Sequence, residues 1–351
     1  MKQKIKVFII IGIVLIVLGI IFPLSISIYM YQSVFGNRYE TTPYMARNLS
    51  EFDKLNRKRF IFKSNNNQDL VGYIYLKESN NIKGIIVIAH GLGGGGHNAY
   101  MNVADYFTAN GYIVFAYDAT GNDESEGNSV NGFPQGLIDL DYAIRFIKNN
   151  TEFEGLPIML FGHSWGAYSA GNVLIAHKDI KAVVMVAGIN KSADIIKEAG
   201  EKMLGKGIYL LMPYISLIEK IKFGRYSSYS SISGFENSEA GIMLIHSSDD
   251  DTISYDNNFK IFYELYKNNP RFIFVSYADR GHNYVYFSDA SKVYRDEFNQ
   301  RFAEYINSTG AEINLEIKLN YMNEKGNKLM MLELDTKLMD RMVMFYDSYI
   351  R

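Results

Sequence analysis

The chain has 351 residues and a formal net charge of −2, a length that suits one large domain with an insertion. Without a basic excess to neutralise phosphates, this composition argues against a nucleic-acid partner. There is no cysteine, which excludes disulfides, thiolate metal sites and a cysteine nucleophile.

Residues 7–24 read VFIIIGIVLIVLGIIFPL, with no charge among them. As a helix these eighteen residues rise roughly 27 Å, close to the bilayer core of about 30 Å. Lys2, Lys4 and Lys6 precede the run, and the next basic residue is Arg38. Residues 1–31 are therefore expected to be a membrane anchor, with Tyr29 and Tyr31 in an interfacial belt. The basic end should be cytoplasmic and the remainder extracytoplasmic. The competing reading is a cleaved signal peptide, with Ser25 and Ser27 as the small residues before the cut and a secreted product. Residues 32–57 are polar and mixed and read as a stalk, leaving 58–351 for the folded domain.

In that domain short apolar runs alternate with helical stretches. Residues 59–63 and 70–76 read as an antiparallel hairpin joined by the Asn-rich turn 65–67. The runs at 84–89, 112–117, 157–161, 181–187, 242–246 and 271–277 read as further strands, with helices at 97–110, 137–149 and after 167. This alternation implies an α/β fold with a mainly parallel sheet covered on both faces. Residues 189–239 are too long for a simple crossover and read as a helical cap. The tail from about 290 to 351 begins helical and is expected to pack against the domain. Within it the alternation of Ile313, Leu315, Ile317 and Leu319 suggests a short strand.

The strongest chemical signal is Gly162-His163-Ser164-Trp165-Gly166, a G-x-S-x-G between the strand PIMLF and a helix. A nucleophile elbow needs that context, because its serine sits on a strained strand-to-helix turn crowded by neighbours that only glycine accommodates. In a fold with such an elbow the triad runs Ser, acid, His along the chain, which leaves His177, His246 and His282. His177 reads as a surface residue on the helix after the elbow, and His246 as structural. His282, in a loop beyond the last strand, is the expected base. The acid should lie on the loop after the preceding strand, where Asp249, Asp250 and Asp251 stand together. The other two are expected to be solvated or turn-forming. The backbone N–H groups of Leu92, in the loop His90-Gly91-Leu92-Gly93-Gly94-Gly95-Gly96, and of Trp165 are the natural oxyanion pair. A rival reading takes Gly91, Gly93 and Gly96 as a dinucleotide fingerprint with Asp118 as the ribose acid. That match leaves the elbow, the acidic turn and His282 without a role.

Five blocks carry a resemblance: His90-Gly91, the turn from Asp118 to Gly127, the elbow at Ser164, the acidic turn from His246 to Ser254, and Gly281-His282. Together they resemble the α/β-hydrolase superfamily, in particular the branch similar to monoacylglycerol lipases and serine aminopeptidases, over roughly residues 58–310. The family spacing sets the acid four positions after the histidine that closes its strand, which implies Asp250. Ser247 stands where family members often carry Gly, Ser254 where they often carry Pro, and Thr120 where Arg usually precedes the turn's glycine.

The resemblance implies a Ser164–Asp250–His282 serine hydrolase, working without cofactor or metal on a small or lipid-like acyl ester. The apolar residues of the cap favour a lipid-like acyl group. A serine aminopeptidase-like activity is the enzymatic alternative and would need a cap carboxylate to hold a substrate amine. Asp194, Glu198, Glu201 and Glu219 are the candidates, each otherwise a solvated helix face. A catalytically silent, membrane-tethered binding protein is the non-enzymatic alternative.

Overall fold

The computed structural model describes every residue except 1, 44, 80, 311 and 351. The side chain of Lys2, one of the three cations expected to orient the anchor, also lies outside the described part. Eight strands form one sheet: β1 Asn56–Lys63, β2 Asp69–Leu76, β3 Gly84–Ala89, β4 Tyr112–Tyr117, β5 Ile158–His163, β6 Ala182–Val186, β7 Gly241–Ser247 and β8 Phe272–Tyr277. Their order is β1-β2-β4-β3-β5-β6-β7-β8. The β1–β2 and β2–β4 pairs are antiparallel and all others parallel. The eight runs between 59 and 277 expected to be strands are strands, and the Asn-rich turn does join an edge hairpin.

The helices are α1 Lys2–Ile16, α2 Phe22–Phe35, α3 Met101–Ala109, α4 Phe133–Asn149, α5 Trp165–Asn172, α6 Ser192–Leu204, α7 Ile208–Phe223, α8 Ser231–Glu236, α9 Phe259–Tyr266, α10 Asp289–Thr309, α11 Leu315–Lys325, α12 Lys328–Met331 and α13 Thr336–Asp347. Successive side chains of a strand point to opposite faces. Accordingly Ile85, Val87 and Ala89 of β3 join the core beneath α4, α5, α8 and α9, while Ile86 and Ile88 join the core beneath α3, α10 and α13. Burial on both faces is why these strands read as continuous apolar runs. Helices α6 to α8 make the insertion between β6 and β7, and α6 with α7 forms the cap.

The tail is part of the second core. Leu338, Met339, Met342, Val343 and Tyr346 of α13 are buried, and the Tyr346 hydroxyl donates to the carbonyl of Leu160 at 2.7 Å. At about 1.5–3 kcal/mol per buried side chain, their burial contributes on the order of 10 kcal/mol before ordering entropy is subtracted. The expected strand at 313–319 is instead the start of α11. Asn314 caps that helix by accepting from the N–H of Ile317 at 2.9 Å. Leu315, Leu319 and Met322 then share a face at helical spacing, and only Met322 of these is buried. The alternation was too short to outweigh a strong N-cap.

Helices α1 and α2 are joined through a π-helical turn at Val17–Ile21. Together they form a helix, Gln3–Phe35, long and apolar enough to cross a membrane by length and composition. Its last turns do not stand clear of the domain, since Ser27, Tyr31 and Phe35 are buried. Residues 32–57, expected as a stalk, are likewise docked. The Arg38 guanidinium donates to the carbonyls of Ser125 at 2.8 Å and Gly127 at 3.0 Å, and Thr41 donates through its N–H and hydroxyl to Asp123, both at 2.5 Å. Polar residues serve here because the surface they meet is the polar turn 118–127, so a mixed composition does not imply a free linker.

Candidate active site

The residues singled out by the sequence meet at the C-terminal edge of the parallel strands, where open α/β sheets place their ligand sites. Ser164 lies between β5 and α5 with φ 55° and ψ −113°, a region that non-glycine residues rarely occupy. Its neighbours hold it there. A Cβ on Gly166 would fall 1.9 Å from the carbonyl oxygen of Ala89, and one on Gly162 would fall 2.3 Å from that of Gly166. The Ser164 N–H donates to the carbonyl of Val186 at 2.8 Å. The strain is maintained by close packing of β3, β5 and β6 around the turn.

The Ser164 hydroxyl donates to His282 Nε2 at 3.0 Å, and His282 Nδ1–H donates to Asp250 Oδ2 at 2.8 Å. The other Asp250 oxygen accepts from the N–H groups of Thr252 at 2.9 Å and Ile253 at 2.8 Å. His246 Nε2 lies 3.2 Å from Asp250 Oδ2 and donates to the carbonyl of Ile253 at 3.0 Å. Burial alone would push the Asp250 carboxyl up; the hydrogen bonds from His246 and His282 overcome it and hold the group well below the usual carboxylate range. Asp250 is thus an ionised acceptor aimed at His282. His246, expected as structural, braces it.

The adjacent acids do different work. Asp249 accepts from the Ser247 hydroxyl at 2.5 Å and from the Gly281 N–H at 2.9 Å, tying the acidic turn to the loop that carries His282. Asp251 is exposed, with its side chain on the hydroxyl of Thr252 at 3.2 Å.

Three residues in this network were not anticipated. The Gly91 N–H donates to the Tyr100 hydroxyl at 3.0 Å, and that hydroxyl donates to His163 Nδ1 at 3.0 Å. His163 Nε2–H donates to the carbonyl of His282 at 3.1 Å. Burial, with the neighbouring His282 imidazole, pushes His163 down to about 3, so it is a neutral spacer between the glycine loop and His282. On the other side, the Ala119 N–H donates to His90 Nε2 at 2.9 Å, and His90 Nδ1–H donates to the carbonyl of Gly91 at 2.8 Å. His90 therefore shapes the turn that presents Leu92. His163 and His90 were visible only as motif members; nothing local in the sequence identified Tyr100 as their link.

Leu92 borders the same cleft as Ser164. The N–H of Trp165 is the first of α5, among those a helix leaves without an intrahelical partner. The Trp165 indole donates to the carbonyl of Phe133 at 2.7 Å, which fixes the residue after Ser164.

Asp118 is fully buried and accepts from the His97 N–H at 2.8 Å and from His97 Nδ1 at 2.7 Å. It is spent inside the fold, and the dinucleotide reading of the glycine loop falls with it. His177, expected at the surface, is buried, with Nε2 donating to Asp141 at 2.7 Å and Lys148 donating to its Nδ1 at 3.0 Å.

The cleft over Ser164 has a volume of about 800 Å³. Ile195, Ile196, Met203, Ile208 and Ile215 of the cap line one side, and Met30, Tyr31, Val34 and Phe35 of α2 line another. Among the described residues its lining includes no Asp or Glu. Of the cap acids, Glu198 and Glu219 are not the solvated residues expected. Glu198 accepts from the Ser254 N–H at 2.9 Å. Glu219 is buried and accepts from Ser192 at 2.7 Å and Tyr31 at 3.2 Å; burial raises its pKa to about 7 against those hydrogen bonds. Asp194 is exposed, and Glu201 accepts from the Tyr209 hydroxyl.

Comparison with known proteins agrees with this architecture. The family described as serine aminopeptidase, S33, matches residues 80–237. A monoglyceride lipase homolog of Monkeypox virus is 30% identical over 99 residues, which are 27% of this chain and 35% of that protein, so the match spans about a third of the relative's length. A Pyrococcus furiosus esterase superposes with a TM-score of 0.52 at 19% identity, covering 78% of this chain and 98% of its own. An acetyl xylan esterase from Thermoanaerobacterium gives 0.50 at 14% identity, over 66% and 79% of the two chains. At these identities the two structures speak for the fold.

Proposed function

Since this chain belongs to the α/β-hydrolase superfamily, we propose that it is a serine hydrolase that cleaves carboxylic esters of lipid-like acyl groups through an acyl-enzyme. The observation that carries the reading is the unbroken relay from Ser164 through His282 to Asp250, at 3.0 and 2.8 Å, on a strained elbow. Ser164 attacks the ester carbonyl while His282 takes its proton, and Asp250 holds the imidazole in the tautomer that leaves Nε2 free to accept. The N–H groups of Leu92 and Trp165 stabilise the oxyanion. His282 protonates the leaving alcohol, then activates the water that releases the acid.

The cleft favours esters over peptides. A free substrate amine calls for a carboxylate, and none of Asp194, Glu198, Glu201 and Glu219 lines the cleft. Its apolar cap side chains suit an acyl chain. A silent binding role is disfavoured, because a strained serine with a complete relay costs stability that binding alone does not require. The burial of Ser27, Tyr31 and Phe35 supports a retained anchor, since cleavage after Ser27 would strip Tyr31 and Phe35 from the rest of their helix. With Lys4 and Lys6 ahead of the span, the catalytic domain is placed by this reading on the extracytoplasmic side.

The test is labelling of the full chain with a fluorophosphonate, followed by a screen of acyl esters against aminoacyl amides. Labelling lost in Ser164→Ala, with ester turnover exceeding amide turnover, is expected. Equal labelling of Ser164→Ala, or faster cleavage of aminoacyl amides, would overturn the proposal.

A further inference from the structure

Met30, Tyr31, Val34 and Phe35 lie at i, i+1, i+4 and i+5 on α2, one face of a helix, and all four line the cleft above Ser164. Tyr29, on the opposite face, is 75% exposed. Phe35 packs edge-on against Phe133 at 6.4 Å, and the Phe133 carbonyl receives the indole N–H of Trp165. Two contacts thus connect the helix to the residue beside the nucleophile. This is the same helix that runs down into the apolar span.

The cap is tied to the span as well. The Tyr214 hydroxyl of α7 donates to the carbonyl of Gly19, and Tyr31 donates to Glu219 of α7. Counted from Val7, a hydrocarbon core of about 30 Å takes roughly 20 residues, to about residue 26. Gly19 then lies within the core, while Met30 and Val34 lie about 6–12 Å beyond its edge, in the headgroup layer. Leu210, Leu217 and Ile221 recur at i, i+7 and i+11 on α7 and are 76%, 49% and 76% exposed. Met203, on the cleft lining, is 66% exposed. An apolar face of this size, contiguous with a membrane span, marks a surface that water does not cover. Its occupant is the bilayer that holds α1 and α2.

We propose that α2 is a wall of the acyl-binding site as well as a tether, and that the substrate is a lipid resident in the leaflet around it. The acyl chain enters between α2 and the cap helices instead of from bulk water. This deepens the serine-hydrolase reading and rests on it. The geometry puts the carbonyl to be attacked near the headgroup layer, the depth at which the ester groups of membrane lipids lie, so the lipid need not leave the leaflet fully.

The experiment uses the full chain reconstituted in phosphatidylcholine vesicles. Two substrates are compared: a long-chain monoacylglycerol within the bilayer and water-soluble p-nitrophenyl acetate. In Val34→Trp and Met30→Trp, which fill the cleft from the α2 side, the ratio of long-chain to short-chain kcat/KM should fall tenfold or more. Tyr29→Trp, on the outward face, should keep the wild-type ratio. A ratio unchanged in both cleft-side variants, or lowered equally by Tyr29→Trp, would overturn the assignment of α2 as a wall. The route of entry has its own measurement. Substrate placed in separate vesicles should be hydrolysed at least tenfold more slowly than substrate in the enzyme's own vesicles, and equal rates would overturn lateral entry. Absence of fluorophosphonate labelling in the wild type would instead refute the serine-hydrolase reading beneath it.

Discussion

Replacing Asp250 by Asn tests the relay at the point where sequence alone left three carboxylates open. The amide has two orientations. With its nitrogen toward Thr252 and Ile253, it faces two backbone N–H donors now 2.9 and 2.8 Å from oxygen. Leaving those donors without an acceptor costs about 1–3 kcal/mol each. With its nitrogen toward His282, the backbone bonds survive, but the amide N–H confronts His282 Nδ1–H. The imidazole relieves that clash by moving its proton to Nε2, where it can no longer accept from Ser164. The second orientation wins, so the fold survives and the base is lost. The corresponding change in a well-studied triad lowers turnover on the order of 10⁴. We expect kcat on a short-chain p-nitrophenyl ester to fall 10³–10⁴-fold, about 4–5.5 kcal/mol in the barrier, with a circular dichroism melt within a few degrees of wild type. Asp251→Asn, at an exposed position, should lose less than about tenfold, as a solvated charge contributes little. Asp249→Asn can still present an oxygen to Ser247 and Gly281 and should also stay within about tenfold. Near-wild-type turnover in Asp250→Asn, or a thousandfold loss in Asp251→Asn, would refute the assignment.

His163 is neutral in the fold, with its pKa pushed down to about 3, whereas a free histidine protonates near 6.5. Between those values the unfolded chain binds more protons, so stability is full above about 6.5 and declines as pH falls toward 3; the loss is on the order of 4 kcal/mol. His163→Gln should flatten the fall of melting temperature between pH 6.5 and 4, and an identical slope in both proteins would contradict the linkage. Tyr100→Phe leaves the Gly91 N–H and His163 Nδ1 without their shared partner; kcat should drop about tenfold while the α-helical signal is kept, and unaltered kcat would remove Tyr100 from the positioning network. Deleting residues 336–351 should remove on the order of 10 kcal/mol of apolar burial and leave the chain unable to fold, and a soluble, cooperatively melting truncation would show that α13 is dispensable. Protease added to right-side-out vesicles or intact cells should digest the catalytic domain, whereas full protection until lysis would reverse the topology.

Local patterns carried much of this protein. Strands β2 to β7 were legible because two-face burial writes itself as uninterrupted apolar runs. The elbow was legible because the crowding by Ala89 and Gly166 admits only glycine at 162 and 166. His282 followed from order along the chain. Tertiary structure alone decided what depends on partners far away in sequence. Asp249, Asp250 and Asp251 have the same side chain in adjacent positions; Asp250 faces His282, 32 residues away, because Thr252 and Ile253 hold its other oxygen. His177 and Glu219 looked solvated until Asp141, Ser192 and Tyr31 arrived to satisfy them, and the run at 313–319 was settled by a capping asparagine. An apolar helix reads the same whether lipid or protein covers it, so the sequence could announce a span at 7–24 but could not disclose that Met30 and Val34 line the cleft above Ser164.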